Sequence, residues 1–524
     1  MAPTSTLPSP AEYLAAIRAS RVYDVAERTP LERAPRLSAR TGNEVWLKRE
    51  DRQPVFSFKL RGAYQFMSGL SPDELDKGVV AASAGNHAQG VALAAKRLGC
   101  SAVIVVPTTT PQIKVDAIRS YGAEVILYGD DFETAYAHSR EIEAREGRIF
   151  VEPYDHPEVI AGQGTVGLEI LFQHPGPIDA IFVPVGGGGL IAGIALAVKA
   201  QRPETKIIGV EPEDADAMHR SLLAGERVIL DRVGLLADGV AVRQVGEEAF
   251  RIVREFVDEI VTVSNDAICA AIKAIYEDRR AILEPAGALA YAGLEKVTDE
   301  TNWTGKTLVA IASGANVSFD RLGFISDRAA VGEGHEAMFS VRIPERPGAF
   351  RRLCAAFGNR MLTEFKYRMS DPDEAIVFAA LRISGPGEIP DILASLRKEG
   401  FDVQNATGDE TAKTHARFLV GGKCRHAINE RLFEFDFPER PGALAMFLDK
   451  LDPRWNISLF HYRFDGSDRG KVLAGIQVPS ATAGAFDKFL RSLGYPFDER
   501  TQHPLLKAFV GKDQADRLGN LPMS

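Results

Sequence analysis

The sequence predicts an α/β protein with doubly wound, mainly parallel sheets, followed by a smaller α+β region. Short continuous apolar runs alternate with helix-period segments from Gly78 to about Phe324, which indicates strands that are covered on both faces. After residues 327–336 the strand-like pieces alternate apolar and polar residues, as antiparallel strands with one buried face do. A chain of 524 residues also exceeds the usual size of one domain, so at least two domains are expected.

The predicted parallel strands follow one another along the chain. In order, their apolar runs are VVAASAG, SAVIVVP, AEVILYG, DAIFVPV, KIIGVEP, EIVTV and TLVAIAS. Helix-period segments such as HAQGVALAAKRLG and PQIKVDAIRSYG lie between them, and a polar helix is predicted from Phe132 to Glu146. Such alternation of strand and helix predicts βαβ units and a parallel sheet.

The C-terminal region contains an internal duplication. The hexapeptide PERPGA begins at 344 and again at 438, and MLTEFKYR (361–368) aligns with NISLFHYR (456–463) after one inserted residue. Each copy reads as strand, Pro-Gly turn, helix and strand, followed by further strand and helix pieces. The duplication therefore predicts two ferredoxin-like α+β modules.

Composition disfavours several classes of function. The formal net charge is -9 and no Lys/Arg cluster occurs, so nucleic-acid binding is not expected. The chain has no apolar run of about 18 residues that would span a membrane, and its N-terminus lacks a signal-peptide pattern, so a cytoplasmic protein is expected. The cysteines lie far apart without CxxC spacing, so neither a disulfide nor a metal site is expected. These cysteines are Cys100, Cys269, Cys354 and Cys424.

The stretch PVFSFKLRGAY (54–64) places a single lysine among apolar residues. Lys59 lies between Phe58 and Leu60. Moving an ammonium group out of water favours its neutral form, and a neutral lysine is a nucleophile. Lys59 is therefore the predicted catalytic residue.

A glycine-rich turn follows the predicted strand that ends at Val185. Four glycines, 186–189, precede an apolar helix that begins near Leu190. Backbone N–H groups without neighbouring Cβ atoms, together with the start of a helix, form a site for a phosphate. The alternative is a tight strand-to-helix turn with no ligand.

The same turn also fits a dinucleotide-binding pattern. Gly187, Gly189 and Ala192 satisfy GxGxxA, and Glu211 ends the next predicted strand. A nicotinamide-dependent oxidoreductase would use these residues, but it would leave Lys59 unexplained.

Two polar loops also follow predicted strands. Ser83 to His87 lead into a helix, and its first amides together with Ser83 and Asn86 suit a carboxylate, although an N-capped helix is the alternative. Ser313 ends another strand, and its hydroxyl suits a ring nitrogen or merely shapes a turn. A lysine, a phosphate site, a carboxylate site and a neutral hydroxyl together predict a pyridoxal phosphate pocket.

These motifs resemble a known family. KREDRQPVFSFKLRGA, SAGNHAQG, GGGGLIAG, LEPAGA and ASGAN resemble the serine/threonine dehydratase branch of the tryptophan synthase β-like (fold type II) pyridoxal phosphate enzymes. With two PERPGA modules, the chain as a whole resembles the biosynthetic threonine dehydratase family, whose C-terminal modules are ACT-like. The resemblance implies dehydration and deamination of L-threonine, and also of L-serine, with L-threonine giving 2-oxobutanoate and ammonia. It further implies feedback by isoleucine and valine, and a homotetramer.

The resemblance also assigns roles to matching residues. Lys59 would hold the cofactor beside Phe58, Asn86 would contact the ring hydroxyl, and Ser313 would face the pyridine nitrogen. The role of Glu284, in LEPAGA, is not assigned. The implied phosphate contacts are Gly186, Gly187, Gly188, Gly189 and Leu190. The implied contacts of the substrate carboxylate are Ser83, Gly85, Asn86 and His87.

Two positions depart from the related sequences. Serine racemases carry a second serine where this chain has Ala84, which disfavours a racemase. The implied effector residues are Tyr367, Asn456 and Tyr462, and Met361 occupies the position that Asn456 holds in the second copy. The second copy, around Asn456 and Tyr462, is therefore expected to tolerate less change than the first.

The predicted domain organisation follows from these assignments. A catalytic domain at 1–329 contains a smaller subdomain around 50–150, a linker spans 330–337, and ACT-like regulatory domains span 338–422 and 432–511. Two other functions remain open. One is a serine-preferring or catabolic serine/threonine dehydratase with the same pocket, and the other is a catalytically inactive amino-acid sensor.

Overall fold

The structure is a computed structural model, and it divides the chain into two compact units, Met1–Gly332 and Glu333–Ser524. No helix among the residues that it describes is both long and apolar enough to cross a membrane. The described residues are 506 and 7–503, apart from 131, 235, 370, 415, 419–423, 425, 439–442 and 464–468.

The first unit begins with the elements around the lysine-bearing helix. They are α1 (Pro10–Arg18), β1 (Leu31–Arg33), α2 (Pro35–Thr41), β2 (Glu44–Arg49) and α3 (Lys59–Ser68). Arg61 in α3 is fully buried and forms ion pairs of 2.8 Å with Glu50 and 2.7 Å with Glu169. Because removing one partner of a buried ion pair costs about 3 to 5 kcal/mol, these pairs hold α3 in one position.

A smaller subdomain follows α3. Its elements are α4 (Pro72–Lys77), β3 (Val79–Ala82), α5 (Asn86–Leu98), β4 (Ala102–Val106), α6 (Gln112–Ser120), β5 (Glu124–Leu127), α7 (Phe132–Glu146) and β6 (Ile149–Phe150). The strands pair in parallel in the order β5-β4-β3-β6. The helix predicted from Phe132 to Glu146 is α7.

The rest of the first unit completes a larger sheet. Its elements are α8 (Pro157–Gln173), β7 (Ala180–Pro184), α9 (Gly189–Lys199), β8 (Lys206–Pro212), α10 (Ala217–Ala224), α11 (Glu247–Phe256), β9 (Glu259–Val263), α12 (Asn265–Arg279), α13 (Pro285–Thr301), β10 (Thr307–Ala312) and α14 (Arg321–Gly332). The strand order is β1-β2-β10-β7-β8-β9, and β1 alone of these strands is antiparallel to its neighbour.

Alternate residues of one strand enter different cores. In β7, Phe182 belongs to one buried apolar cluster, whereas Ile181 and Val183 belong to another. Both faces of the sheet are therefore covered, which is why the strands read as continuous apolar runs. The predicted doubly wound, mainly parallel architecture is confirmed.

The second unit consists of two βαββαβ copies. Its elements are β11 (Glu336–Pro344), α15 (Ala349–Phe357), β12 (Leu362–Arg368), β13 (Glu374–Arg382), α16 (Ile389–Lys398), β14 (Asp402–Asn405), α17 (Glu410–Thr414), β15 (Glu430–Pro438), α18 (Ala443–Lys450), β16 (Asn456–Arg463), β17 (Arg469–Gln477), α19 (Ala483–Ser492) and β18 (Phe497–Glu499). One antiparallel sheet runs in the order β14-β11-β13-β12-β16-β17-β15-β18, so β12 and β16 join the copies. The predicted pair of ferredoxin-like modules is confirmed.

The predicted linker, residues 330–337, comprises the end of α14, a turn and the start of β11. The second Pro-Gly turn, at 439–442, lies outside the described residues, as do the predicted domain ends at 422 and 511.

Candidate active site

One cavity of the first unit is lined by all of the predicted cofactor residues. These residues are Phe58, Lys59, Asn86, Gly186, Gly187, Gly188, Gly189, Leu190 and Ser313. Asn86 opens α5 after β3, the glycines follow β7, and Ser313 follows β10. The cavity thus lies beyond the carboxyl ends of parallel strands, where α/β proteins bind their ligands.

Lys59 is partly accessible through this cavity, but protein atoms surround its ammonium group. The Nζ atom donates a hydrogen bond of 2.9 Å to the carbonyl oxygen of Pro153. Desolvation lowers the pKa of Lys59 to about 8, against the opposing charge of Glu284. Nζ also lies 5.5 Å from the ring centroid of Phe58 and 6.0 Å from that of Tyr154. A lysine in this setting reaches its nucleophilic neutral form near neutral pH.

The glycine turn leaves no space for side chains. Gly188 has a φ of +95°, in the left-handed region that favours glycine. A Cβ atom at Gly187 would lie 2.3 Å from the Tyr154 ring, and one at Gly189 would lie 2.6 Å from the Tyr154 carbonyl oxygen. The turn therefore presents bare backbone at the start of α9, and this cradle suits a phosphate group.

Asn86 belongs to a hydrogen-bonded cluster at the other side of the cavity. Its Nδ2 atom donates a hydrogen bond of 2.6 Å to Glu284 Oε1, and its Oδ1 atom accepts one of 2.6 Å from Asn316 Nδ2. Burial, with a further contribution from Asp238, raises the pKa of Glu284 to about 7. The cluster thus combines fixed amide groups with a carboxyl group that titrates near neutral pH.

Ser313 is buried next to the segment that carries the lysine. Its hydroxyl donates a hydrogen bond of 3.2 Å to the carbonyl oxygen of Ala286, and its own carbonyl oxygen accepts one of 3.2 Å from the N–H group of Phe58. The serine oxygen therefore offers the cavity a neutral group that can donate or accept.

The predicted substrate loop is only partly in this cavity. Ser83, Gly85 and His87 lie outside its lining, and Asn86 is part of it. The Ser83 hydroxyl accepts a hydrogen bond of 3.2 Å from the N–H group of Gly85, which shapes the loop.

The His87 side chain is buried and engaged elsewhere. Its Nε2 atom hydrogen-bonds to the carbonyl oxygen of Val151 at 2.9 Å, and burial lowers the pKa of the imidazole to about 3. His87 is therefore neutral and brings no positive charge to a substrate carboxylate. The substrate role of this loop stays a prediction, and it rests on backbone N–H groups that a helix leaves unpaired in its first turn.

Several lining residues were not predicted from the sequence. They are Pro153, Tyr154, Gln163, Pro184, Gly239, Val240 and Ala286. Tyr154 follows the two-residue strand β6, which is too short to leave an apolar pattern. Gly239 and Val240 belong to a single helical turn, Asp238–Val240, inside a long connection between α10 and α11.

The predicted effector residues lie in the second unit, and two of them contact the same glutamate. Tyr367 donates a hydrogen bond of 2.5 Å to Glu345 Oε2, and Asn456 Nδ2 donates one of 3.0 Å to Glu345 Oε1. Asn456 thus contacts a residue of the first copy, and the effector role of Tyr367, Asn456 and Tyr462 stays a prediction. Because β12 and β16 are antiparallel, with Tyr367 opposite Phe460, the start of β16 lies beside the end of β12.

Comparison with known proteins agrees with this cavity. A family described as "Pyridoxal-phosphate dependent enzyme" matches residues 22–314, and one described as "C-terminal regulatory domain of Threonine dehydratase" matches residues 327–416 and 422–510. The biosynthetic L-threonine dehydratase of Burkholderia multivorans is 54% identical over 502 residues, which cover 95% of this chain and 99% of that protein. The Escherichia coli enzyme of the same name is 48% identical over 509 residues, or 97% and 99% of the two chains.

Solved structures share the fold over about three fifths of this chain. The processed form of threonine deaminase isoform 2 from Solanum lycopersicum matches with a TM-score of 0.61 and 53% identity, over 62% of this chain and 88% of that one. Maize serine racemase matches with a TM-score of 0.56 and 35% identity, over 60% of this chain and 95% of that one.

The fold and the cavity define a pyridoxal-phosphate-dependent enzyme of the tryptophan synthase β-like class. Its lysine, its phosphate cradle and its neutral serine fit that cofactor. Two findings identify the family within this class: the match of the C-terminal half to the regulatory-domain family, and the similarity to threonine dehydratases over nearly the whole chain. The chain belongs to the biosynthetic threonine dehydratase family.

Proposed function

We propose that this enzyme dehydrates and deaminates L-threonine to 2-oxobutanoate and ammonia, with L-serine as a second substrate, at the committed step toward isoleucine. The observation that carries the proposal is the meeting of Lys59 and the glycine cradle in one cavity of a chain that also has the duplicated regulatory half. A dehydratase without feedback control would have no use for that second half.

Each residue of the cavity has a proposed task. Gly186 to Gly189 and Leu190 would hold the phosphate, Asn86 would contact the ring oxygen, and Ser313 would face the ring nitrogen. Pyridoxal phosphate, when bound, supplies an electron sink for the bonds at the substrate Cα. Lys59 would hold the cofactor and, as a free amine, would take the Cα proton of the substrate.

The surroundings of Lys59 favour elimination. The nearby Phe58 and Tyr154 rings and Val240 limit water around the reacting atoms. Ser313, a neutral group, would place less positive charge at the ring nitrogen than a carboxylate would, and this would favour loss of the β-hydroxyl. Loss of water followed by hydrolysis of the enamine releases 2-oxobutanoate and ammonia.

A direct assay tests this activity. Purified protein loaded with pyridoxal phosphate is expected to form 2-oxobutanoate from L-threonine and pyruvate from L-serine, and keto-acid formation measures both. One methyl group in an apolar pocket is worth only about 1 to 3 kcal/mol, so some turnover of serine is expected. Turnover of serine alone would favour a serine-preferring dehydratase, and turnover of neither would favour an amino-acid sensor. Formation of D-serine from L-serine would contradict the inference from Ala84 that the enzyme is not a racemase.

We propose that isoleucine and valine bind the second unit and set the activity of the first. Tyr367, Glu345 and Asn456 form a hydrogen-bonded group that draws on both copies. A carboxylate suits the ammonium group of an amino acid, and a tyrosine ring suits its aliphatic side chain. The Tyr367–Glu345–Asn456 group is therefore the proposed effector site.

Two tyrosine substitutions test whether the effector depends on this hydrogen-bonded group. We expect Tyr367→Ala to raise the isoleucine concentration for half inhibition by about tenfold or more, which corresponds to a loss of about 1.4 kcal/mol of effector binding. Tyr462→Ala, the matched control in the second copy, is expected to change it by less than about threefold. Initial rates against isoleucine concentration give both values. A fully active wild type that ignores isoleucine would refute the regulatory role, and a larger effect of Tyr462→Ala would refute the assignment of the effector site to the Tyr367–Glu345–Asn456 group.

We also propose that the enzyme acts in the cytoplasm as a homotetramer, as its family resemblance implies. Light scattering on the purified protein measures the mass of the assembly, and a monomeric mass for the active enzyme would contradict it.

A further inference from the structure

Glu284 is a buried carboxyl group whose position is unusual for its place in the chain. It occupies the N-cap of α13, where an acidic side chain commonly accepts a hydrogen bond from its own helix. Here the side chain makes no such bond. It turns to the cavity, where Oε1 accepts the 2.6 Å hydrogen bond from Asn86 Nδ2 and the carboxyl group also takes a bond from the backbone N–H of Asn316.

The neighbouring strand end leaves room for this carboxyl group. A Cβ atom at Gly314 would lie 2.3 Å from Glu284 Oε1, so a side chain at Gly314 would displace the carboxyl group from Asn86. The carbonyl oxygen of Gly314 also accepts a hydrogen bond of 3.2 Å from the N–H group of Glu284. The glycine after Ser313 thus has a definite steric role.

The hydrogen bonds of this cluster determine the orientation of the Asn86 amide. At one end, the carbonyl oxygen of Val55 can only accept, and Asn316 Nδ2 donates to it at 2.8 Å. The same nitrogen donates to Asn86 Oδ1, so the Asn86 amide nitrogen must face the acceptor Glu284. With its oxygen and one N–H so used, Asn86 retains a second N–H for a ligand in the cavity.

We propose that Glu284 is a positioning residue of this enzyme: its carboxylate orients the Asn86 amide so that an N–H group, and not the carbonyl oxygen, meets the ring oxygen of the cofactor. The proposal deepens the proposed function and rests on pyridoxal phosphate as the ligand of the cavity. An N–H donor at that place favours the ionised ring oxygen, because hydrogen bonds to a charged acceptor are the stronger ones.

This orientation depends on pH. Lys59 of α3, Lys114 of α6 and Asp238 of the turn before α11 contribute the charges that act on Glu284, and burial is the largest cause of its raised pKa of about 7. Below that pH the carboxyl group gains a proton and loses its charge, so it holds the N–H group of Asn86 less strongly. Above it the carboxylate accepts only. Cofactor affinity is therefore expected to rise as pH increases through the neutral range.

Glu284→Gln tests the proposal through cofactor binding alone. The measured quantities are the dissociation constant and visible absorption of bound pyridoxal phosphate across neutral pH, without any amino acid. In the wild type, both are expected to show an inflection near pH 7, besides the change that Lys59, with its pKa of about 8, contributes when it attaches the cofactor. In Glu284→Gln the inflection near pH 7 is expected to vanish, and the cofactor to bind about tenfold more weakly above neutral pH, as the loss of one hydrogen bond to a charged group predicts.

Glu211→Gln is the matched control. Glu211 is also a buried carboxyl group with a raised pKa, about 8, and it accepts hydrogen bonds from the N–H groups of Met218 and His219 at 2.9 and 2.8 Å, outside the cavity lining. This variant is expected to keep the wild-type inflection. An inflection lost in both variants, or kept in Glu284→Gln with unchanged affinity, would overturn the proposal.

A second variant serves if Glu284→Gln does not fold. Glu284→Asp keeps an acidic group but shortens the side chain by one methylene, so it is expected to keep an inflection at a shifted pH and to bind the cofactor more weakly. A Glu284→Asp protein with the wild-type inflection pH and the wild-type dissociation constant for the cofactor would overturn the proposal. Because no amino acid is present, failure to turn over threonine would contradict the proposed reaction and leave this result intact, whereas failure to bind pyridoxal phosphate at all would contradict the cofactor.

Discussion

Replacing Lys59 by alanine is expected to lower the rate of keto-acid formation from threonine at least about 10⁴-fold. The Nζ atom is the nucleophile that the cavity presents, and desolvation lowers its pKa to about 8, so part of it is neutral at the pH of a cell. No other lysine lines this cavity within the part of the chain that the structure describes. The variant should also lose the covalent link to the cofactor, which borohydride reduction followed by mass measurement detects.

A control variant tests whether removing a lysine elsewhere in the same unit would also lower the rate. Lys206 is an exposed lysine of the same unit, at the start of β8, and its ammonium group lies 5.2 Å from the Trp303 ring. Lys206→Ala is expected to keep the wild-type rate and the covalent link. A Lys59→Ala protein that turned threonine over at nearly the wild-type rate would show that another group performs the chemistry.

The sequence predicts well what is local. Lys59 among apolar residues, the glycines after β7 and Ser313 after β10 are each visible within a few neighbouring residues, and they meet because parallel strands end at one edge of the sheet. The packing of Tyr154 against the glycines is not local. It joins residues that are far apart in the chain, through a two-residue strand with no apolar pattern of its own.

Side-chain pairing across strands is harder to predict than the strands themselves. Alignment of the two copies places Met361 and Asn456 at equivalent positions, and it suggests that each polar residue serves its own copy. The antiparallel join of β12 to β16 instead brings Asn456 to Glu345 of the other copy. Repeats reveal that two modules exist, but only the register of their joining strands shows which residues meet. The His87 ring is a similar case, because its burial against Val151 follows from tertiary packing.

Gly188→Asp is expected to deprive the enzyme of its cofactor. Gly188 has a φ of +95°, and a Cβ atom there would lie 2.8 Å from Met218 Cε and 2.9 Å from Ala249 Cβ. The substitution therefore strains the backbone of the cradle and also places a negative charge beside the phosphate site. We expect the dissociation constant of pyridoxal phosphate to rise at least about 100-fold, measured by equilibrium dialysis with absorbance of the bound cofactor.

Two further variants separate the contributions of backbone strain and negative charge to the loss of cofactor affinity. Gly225→Asp introduces the same residue at a similar left-handed φ of +76°, at an exposed position with no heavy atom within 4 Å of the new Cβ, and it is expected to leave cofactor binding unchanged. Gly188→Ala adds the Cβ atom without the charge and is expected to give an intermediate affinity. If Gly188→Asp retained the wild-type cofactor content after dialysis, the phosphate would have to lie elsewhere. If Gly188→Ala weakened binding as strongly as Gly188→Asp, backbone shape alone would account for the site, because the added charge would then contribute nothing measurable.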